Sequence, residues 1–120
     1  MFYEFHNPLT DKWVRVVPTM LRDGIAGYSK DGTKIYVDVL VPAWMLRPLI
    51  SHEVFEMVLT QQLGFKYEWA HQQATVLERY VCEKLGFNWE EYDKTYRKIL
   101  EAIYSRSPKP VNPSDLDVHT

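Results

Sequence analysis

A chain of 120 residues suits a single domain built around one core. A formal net charge of −2, with Lys and Arg scattered, excludes the basic footprint of a nucleic-acid or membrane-surface binder, and no apolar run is long enough to span a bilayer. The lone Cys82 excludes an internal disulfide framework and a cysteine-rich zinc module.

Residues 2–41 read as β-rich. Tyr3, Phe5, Trp13, Val14, Val16 and Val17 are strand formers, interrupted by Asn7-Pro8 and Pro18. Residues 25–28 and 34–40 flank Ser29-Lys30-Asp31-Gly32-Thr33, and Asp-Gly between two β-rich runs predicts a hairpin. In the second strand, alternation puts Ile35, Val37 and Val39 on one face and Tyr36, Asp38 and Leu40 on the other. Pro42 ends that strand, residues 43–46 suit a helical turn, and Arg47 reads as a joint because the residue before a proline avoids helix. Pro48 then opens a helix over residues 48–63 that stops at Gly64. A second helix runs over about residues 67–85 and stops at Gly86. Asn88 caps a third, with Glu91 placed to close a capping box and Trp89, Tyr92, Tyr96, Ile99, Leu100 and Ile103 forming its apolar stripe.

The fold class is α+β, one domain over residues 1–106 with a small antiparallel sheet packed on three helices. Residues 107–120, with Pro108, Pro110 and Pro113, read as an extended or disordered tail. His6 and His119, in strand-edge and tail contexts, need no role. The opening Met1-Phe2-Tyr3-Glu4-Phe5-His6 lacks the basic start and apolar run of a signal peptide, so a soluble cytoplasmic protein is the expectation.

Some polar residues stand where apolar ones belong. On the first helix His52 and Glu56 lie one turn apart and share a face with Leu49, Leu59 and Leu63, while Ile50, Val54, Met57 and Val58 cover the opposite side. A helix that is apolar nearly all round belongs in an interior, where an imidazole and a carboxylate are costly unless compensated. On the second helix His71 and Glu78 fall on or beside the stripe Ala70, Ala74, Leu77, Val81 and Leu85, and Cys82 joins it as a small core residue. The short link between the helices predicts an antiparallel helical hairpin, on which both pairs converge.

A divalent metal ion compensates all of them. Residues four apart on a helix chelate one ion, and a third ligand from a neighbouring helix leaves a coordination position open for water. His52, Glu56 and His71 supply two nitrogens and one carboxylate, donors suited to zinc or another divalent transition metal. Glu78 is either a fourth ligand or a group that orients His71 or His52 from behind. Glu53, directly after the first ligand, is the candidate proton acceptor, and Tyr67, one turn before His71, the candidate donor to a developing oxyanion.

His52-Glu53-Val54-Phe55-Glu56 resembles the His-Glu-x-x-His helix of the zincin metallopeptidases. A strand, a motif helix and a second helix bearing a further ligand are similar to a minimal core of the gluzincin type. The resemblance covers about half the chain and implies zinc held by His52, Glu53 as general base, and a peptide or protein substrate. It also implies that the strand over residues 34–40 borders the cleft and pairs with extended substrate. The sequence departs from the family at two ligands, with Glu56 where the motif has His and His71 where gluzincins use Glu, so the donor inventory is kept and two positions are exchanged.

Three other readings use the same residues. The histidines can be core residues hydrogen-bonded to Glu56 and Glu78, forming a structural site with or without a metal. Two histidines and a carboxylate also suit non-haem iron. Glu68-Trp69-Ala70-His71 matches the Glu-x-x-His of di-metal bundles, but those sites need two such motifs.

Overall fold

The computed structural model describes residues 4–118, so Tyr3 and His119 lie outside the described residues. β1 (Glu4–Asn7), β2 (Lys12–Thr19), β3 (Ala26–Tyr28) and β4 (Lys34–Asp38) form one sheet in the order β1-β2-β4-β3. The expected hairpin joins β3 to β4, with Tyr28 opposite Ile35 and Gly27 opposite Tyr36. Its turn needs a glycine, since Gly32 takes φ +73°. The Asp31 carboxylate braces the turn by accepting from the backbone and hydroxyl of Thr33 and from the Ser29 hydroxyl.

The sheet is mixed rather than wholly antiparallel, because β2 and β4 run parallel from Arg15–Lys34 to Thr19–Asp38. After β2 the chain steps outward to form β3 at the edge, and β4 returns to fill the gap. Strand-forming residues and turn signals report that a strand exists, not which neighbour it takes. This order makes β4 an interior strand, and the expected in–out alternation is lost over Ile35, Tyr36, Val37 and Asp38, which are all buried. Tyr36 is covered by residues from beyond α3, its hydroxyl donating to Asp115 Oδ1 at 2.6 Å. Asp38 is covered by Arg106, whose Nη1 and Nη2 each donate to one of its carboxylate oxygens at 2.6 Å.

A short helical turn (Ala43–Met45) leads into α1 (Leu46–Met57). Arg47, read as a joint, lies inside the helix. Pro48 sits in the first turn, where backbone N–H groups have no intrahelical acceptor and a missing one costs nothing. Beyond Met57 the helix widens into a π-helical stretch (Val58–Gln62), with the Leu63 N–H donating to the Val58 carbonyl. The wider turn breaks the expected face, and Leu63 points to solvent. Gly64 takes φ +72° and ends it.

α2 (Tyr67–Lys84) buries Ala70, Ala74, Glu78 and Cys82, a strict four-residue stripe. Leu85, expected on that stripe, is exposed. α3 (Trp89–Tyr104) starts as expected, the Asn88 side chain accepting from the Glu91 N–H at 3.1 Å, and buries Tyr92, Ile99 and Ile103. α1 and α2 pair antiparallel, since His52 meets Glu78 and Glu56 meets His71. The core joins one face of the sheet to α1, α2 and α3 through Val14, Ile35, Met45, Leu49, Met57, Cys82 and Ile103. Among the described residues no helix is long and apolar enough to cross a membrane.

Residues 112–118, the far part of the expected tail, turn at residues 113–116, where the Leu116 N–H donates to the Pro113 carbonyl, and pair with the chain where β3 ends. Lys30 N–H donates to the Asp115 carbonyl and Asp117 N–H to the Tyr28 carbonyl, both at 2.8 Å, around an antiparallel bridge between Ser29 and Leu116.

Candidate metal centre

α1 puts His52 and Glu56 on its buried side, and the start of α2 brings His71 over them. His52 Nε2 and His71 Nδ1 both stand 2.9 Å from the same oxygen, Glu56 Oε2. The three candidate ligand atoms lie within 4.8 Å of one another. The base of this cluster is buried, with His52 at 5% and Glu56 at 3% exposure. His71 is different. The wheel set it beside the buried stripe, yet its side chain is 47% exposed. Ala70 and Ala74 take the interface, and the next residue round the helix falls on its rim. The cluster is therefore closed below and accessible from the His71 side.

Glu53 is buried at 7% exposure, and its Oε2 lies 3.7 Å from His52 Nε2, the nitrogen that faces Glu56. Burial pushes its carboxyl up to about 8, with His52 pulling it down and Glu56 and Glu78 adding repulsion. Burial acts the same way on Glu56, but the imidazoles of His52 and His71 outweigh it and hold the carboxyl down at about 2. For His52 burial favours the neutral ring, and Glu56 and Glu78 outweigh it and raise the ring to about 10. A proton on His52 thus offsets the charge of Glu56 within the cluster.

Glu78 stands behind His52 rather than in the cluster. Its Oε1 is 2.8 Å from His52 Nδ1, a bent approach in which charge counts for more than hydrogen-bond direction. Its Oε2 accepts from the Tyr92 hydroxyl at 2.6 Å. A carboxylate on the second nitrogen of a ligating histidine fixes ring orientation and raises its basicity. Burial and the Glu78 charge raise the Tyr92 phenol far above the ordinary range, so it remains a donor. If the cluster holds zinc, Tyr92→Phe is expected to weaken its affinity roughly 10-fold or more while the fold is kept, a change that competition with a chromophoric chelator measures.

Tyr67 reaches the cluster from the rim, its hydroxyl 3.4 Å from His71 Nδ1. Burial, with Glu56 and Glu53 nearby, raises its phenol to about 12. Glu68 is exposed, so Glu68-Trp69-Ala70-His71 does not build a di-metal site.

Two residues of the centre escaped the sequence reading. Tyr28, a strand residue, donates its hydroxyl to Glu56 Oε1 at 3.2 Å and lies 3.2 Å from Thr60 Oγ1. Tyr92 was visible only as part of an apolar stripe. A buried tyrosine hydroxyl needs a partner, which is the one signal that marks such positions, but a sequence does not say which partner.

A cavity of about 340 Å³ opens over the cluster. His52, Glu53, Glu56, Tyr67 and His71 line one side, and residues 23–27 with Asn112 and Leu116 line the other. The strand bordering it is β3. The role that the resemblance implied for residues 34–40 is not available to them, since both edges of β4 are already paired. No family model, curated protein or solved structure matches this chain.

Proposed function

We propose that this chain is a zincin-like metal-dependent hydrolase that cleaves a peptide or amide bond. The observation that carries the reading is the convergence of His52 Nε2, Glu56 Oε2 and His71 Nδ1 beside the buried carboxylate of Glu53, under an open cavity. Two imidazoles and one carboxylate are a donor set that zinc accepts. His52, Glu56 and His71 would hold the zinc, which would supply Lewis acidity and lower the pKa of the attacking water toward about 7.

The chain's own groups do the rest. Glu53, whose carboxyl a bound cation would bring down from about 8, takes the proton from the attacking water and delivers it to the leaving amine. Tyr67, a protonated phenol at the cavity wall, donates to the carbonyl oxygen as negative charge develops there. Glu78 and Tyr92 hold the His52 ring, and Tyr28 occupies Glu56 Oε1 so that Oε2 faces the two imidazoles.

A second reading is a non-catalytic site that only ties α1 to α2. The direct contacts of His52 with both Glu56 and Glu78, made by protein groups alone, favour it. Peptide turnover that Glu53→Gln abolishes separates the two, and elemental analysis of untagged protein tests the metal that the hydrolase requires. The hydrolase reading expects about one zinc per chain, lost in both His52→Ala and His71→Ala. A chain that takes up no zinc, iron or manganese, and whose melting temperature none of them raises, removes the metal from the account.

A further inference from the structure

The outer edge of β3 borders the cavity, and a stretch of the same chain pairs with it where the strand ends. The hold is sequence-specific. Asp115 meets Lys34 Nζ at 2.7 Å and the Tyr36 hydroxyl at 2.6 Å. Asp117 accepts from Gln61 Nε2 at 2.9 Å, and Asn112 accepts from the Arg22 N–H at 2.7 Å. Between the two acids Leu116 enters a notch that exists because residue 27 is glycine. A Cβ there would stand 2.8 Å from Leu116 Cδ1. Backbone pairing supplies general affinity for an extended chain, and the pockets for alternate side chains supply its specificity.

The hold is also weak. It consists of two strand-type hydrogen bonds, a half-exposed ion pair and short polar contacts, and exposed ion pairs contribute about 1 kcal/mol or less. Its occupant follows a linker containing Pro108 and Pro110, which carries it as a tether and keeps its local concentration high.

We propose that residues 112–118 are a ligand the chain carries for its own β3 edge, an acidic–aliphatic–acidic segment that gives way to an extended polypeptide of the same pattern. The inference deepens the hydrolase reading and rests on it only in taking the incoming polypeptide as substrate. With the segment seated, the edge nearest the metal centre is closed to other chains.

The test compares the full chain with its Asp115→Ala/Leu116→Ala variant by amide hydrogen exchange and by binding of a fluorescein-labelled peptide Asn-Pro-Ser-Asp-Leu-Asp-Val. In the parent the amides of Lys30 and Asp117 are expected to be protected. In the variant they exchange roughly 10-fold faster or more, while those of Ala74 and Ile99 keep their rates. The peptide is expected to bind the variant roughly 10-fold tighter than the parent, whose edge is already filled. Replacing its Leu by Gly, or both Asp by Asn, abolishes that binding. Lys30 and Asp117 amides that exchange freely in the parent, or a peptide that binds both proteins equally or neither, overturns the proposal. Zinc content on the same samples keeps the two ideas apart. Loss of zinc from both proteins defeats the hydrolase and leaves the peptide result standing, whereas peptide failure with zinc bound defeats only the tethered ligand.

Discussion

Under the proposed hydrolase function, Glu53→Gln is expected to keep zinc and to lower peptide hydrolysis by roughly two to four orders of magnitude, the usual contribution of a positioned general base. The substitution is nearly isosteric. It removes a carboxyl crowded by Glu56 and Glu78 in a buried site, so the melting temperature is expected to hold or rise. The pair of readouts matters. Zinc content reports on His52, Glu56 and His71, which the change leaves alone. Turnover of a quenched fluorescent peptide reports on the proton acceptor. Unchanged turnover with zinc in place would remove Glu53 from the chemistry.

The largest stability effect is expected far from the cluster, at Asp38 and Arg106. The Asp38 side chain is fully buried and takes both arms of the Arg106 guanidinium, and its oxygens also accept from the N–H groups of Leu21 and Leu40. Asp38→Ala leaves two backbone donors without their acceptor and the Arg106 guanidinium without its counter-charge, held only by the Leu21 carbonyl at 3.1 Å. A broken buried pair of this kind costs about 3–5 kcal/mol, a large share of the 5–15 kcal/mol (roughly) that holds a domain of this size. Urea midpoints measure it. If the unpaired charge is the cause, the joint replacement Asp38→Leu/Arg106→Met regains most of the loss.

The same pair sets an acid limit. Burial pushes the Asp38 carboxyl up, but Arg106 and the Leu21 and Leu40 N–H groups outweigh it and leave it below the ordinary value. A depressed folded-state pKa means the unfolded chain takes up the proton first as pH falls. The stabilisation is therefore complete above the ordinary carboxylate range, about pH 4, and drains away as pH drops through the lowered folded value. The parent is expected to lose urea resistance over that interval, and Asp38→Ala to lose less of what it has.

Much of the centre was legible because it sits on helices. The four-residue spacing of His52 and Glu56 puts both tips on one side of α1 whatever the surroundings, and Gly64 and Gly86 mark where helices stop. Asn88 announces the start of α3 by local hydrogen bonding alone, its side chain accepting from the Glu91 N–H. Tyr28 was not legible, because its partner lies 28 residues away and a strand pattern names no partner across the core. His71 was legible as a member of the cluster but not as its exposed rim, since a wheel gives direction around α2 and not how far along the hairpin the neighbouring helix covers it.

The amino-acid sequence by itself determined the α+β class, the hairpin, three helices with the Asn88 cap and the glycine stops, and the placing of His52 and Glu56 on one buried face of α1. These follow from short-range periodicity and turn chemistry, in which neighbours are a few residues apart. Only the tertiary structure decided that β4 lies inside the sheet, that β3 borders the cavity with residues 112–118 paired where it ends, and that Glu78 and Tyr92 stand behind His52. Each of these depends on contacts between segments far apart in the chain, where the energy lies in burial and pairing that no local pattern encodes.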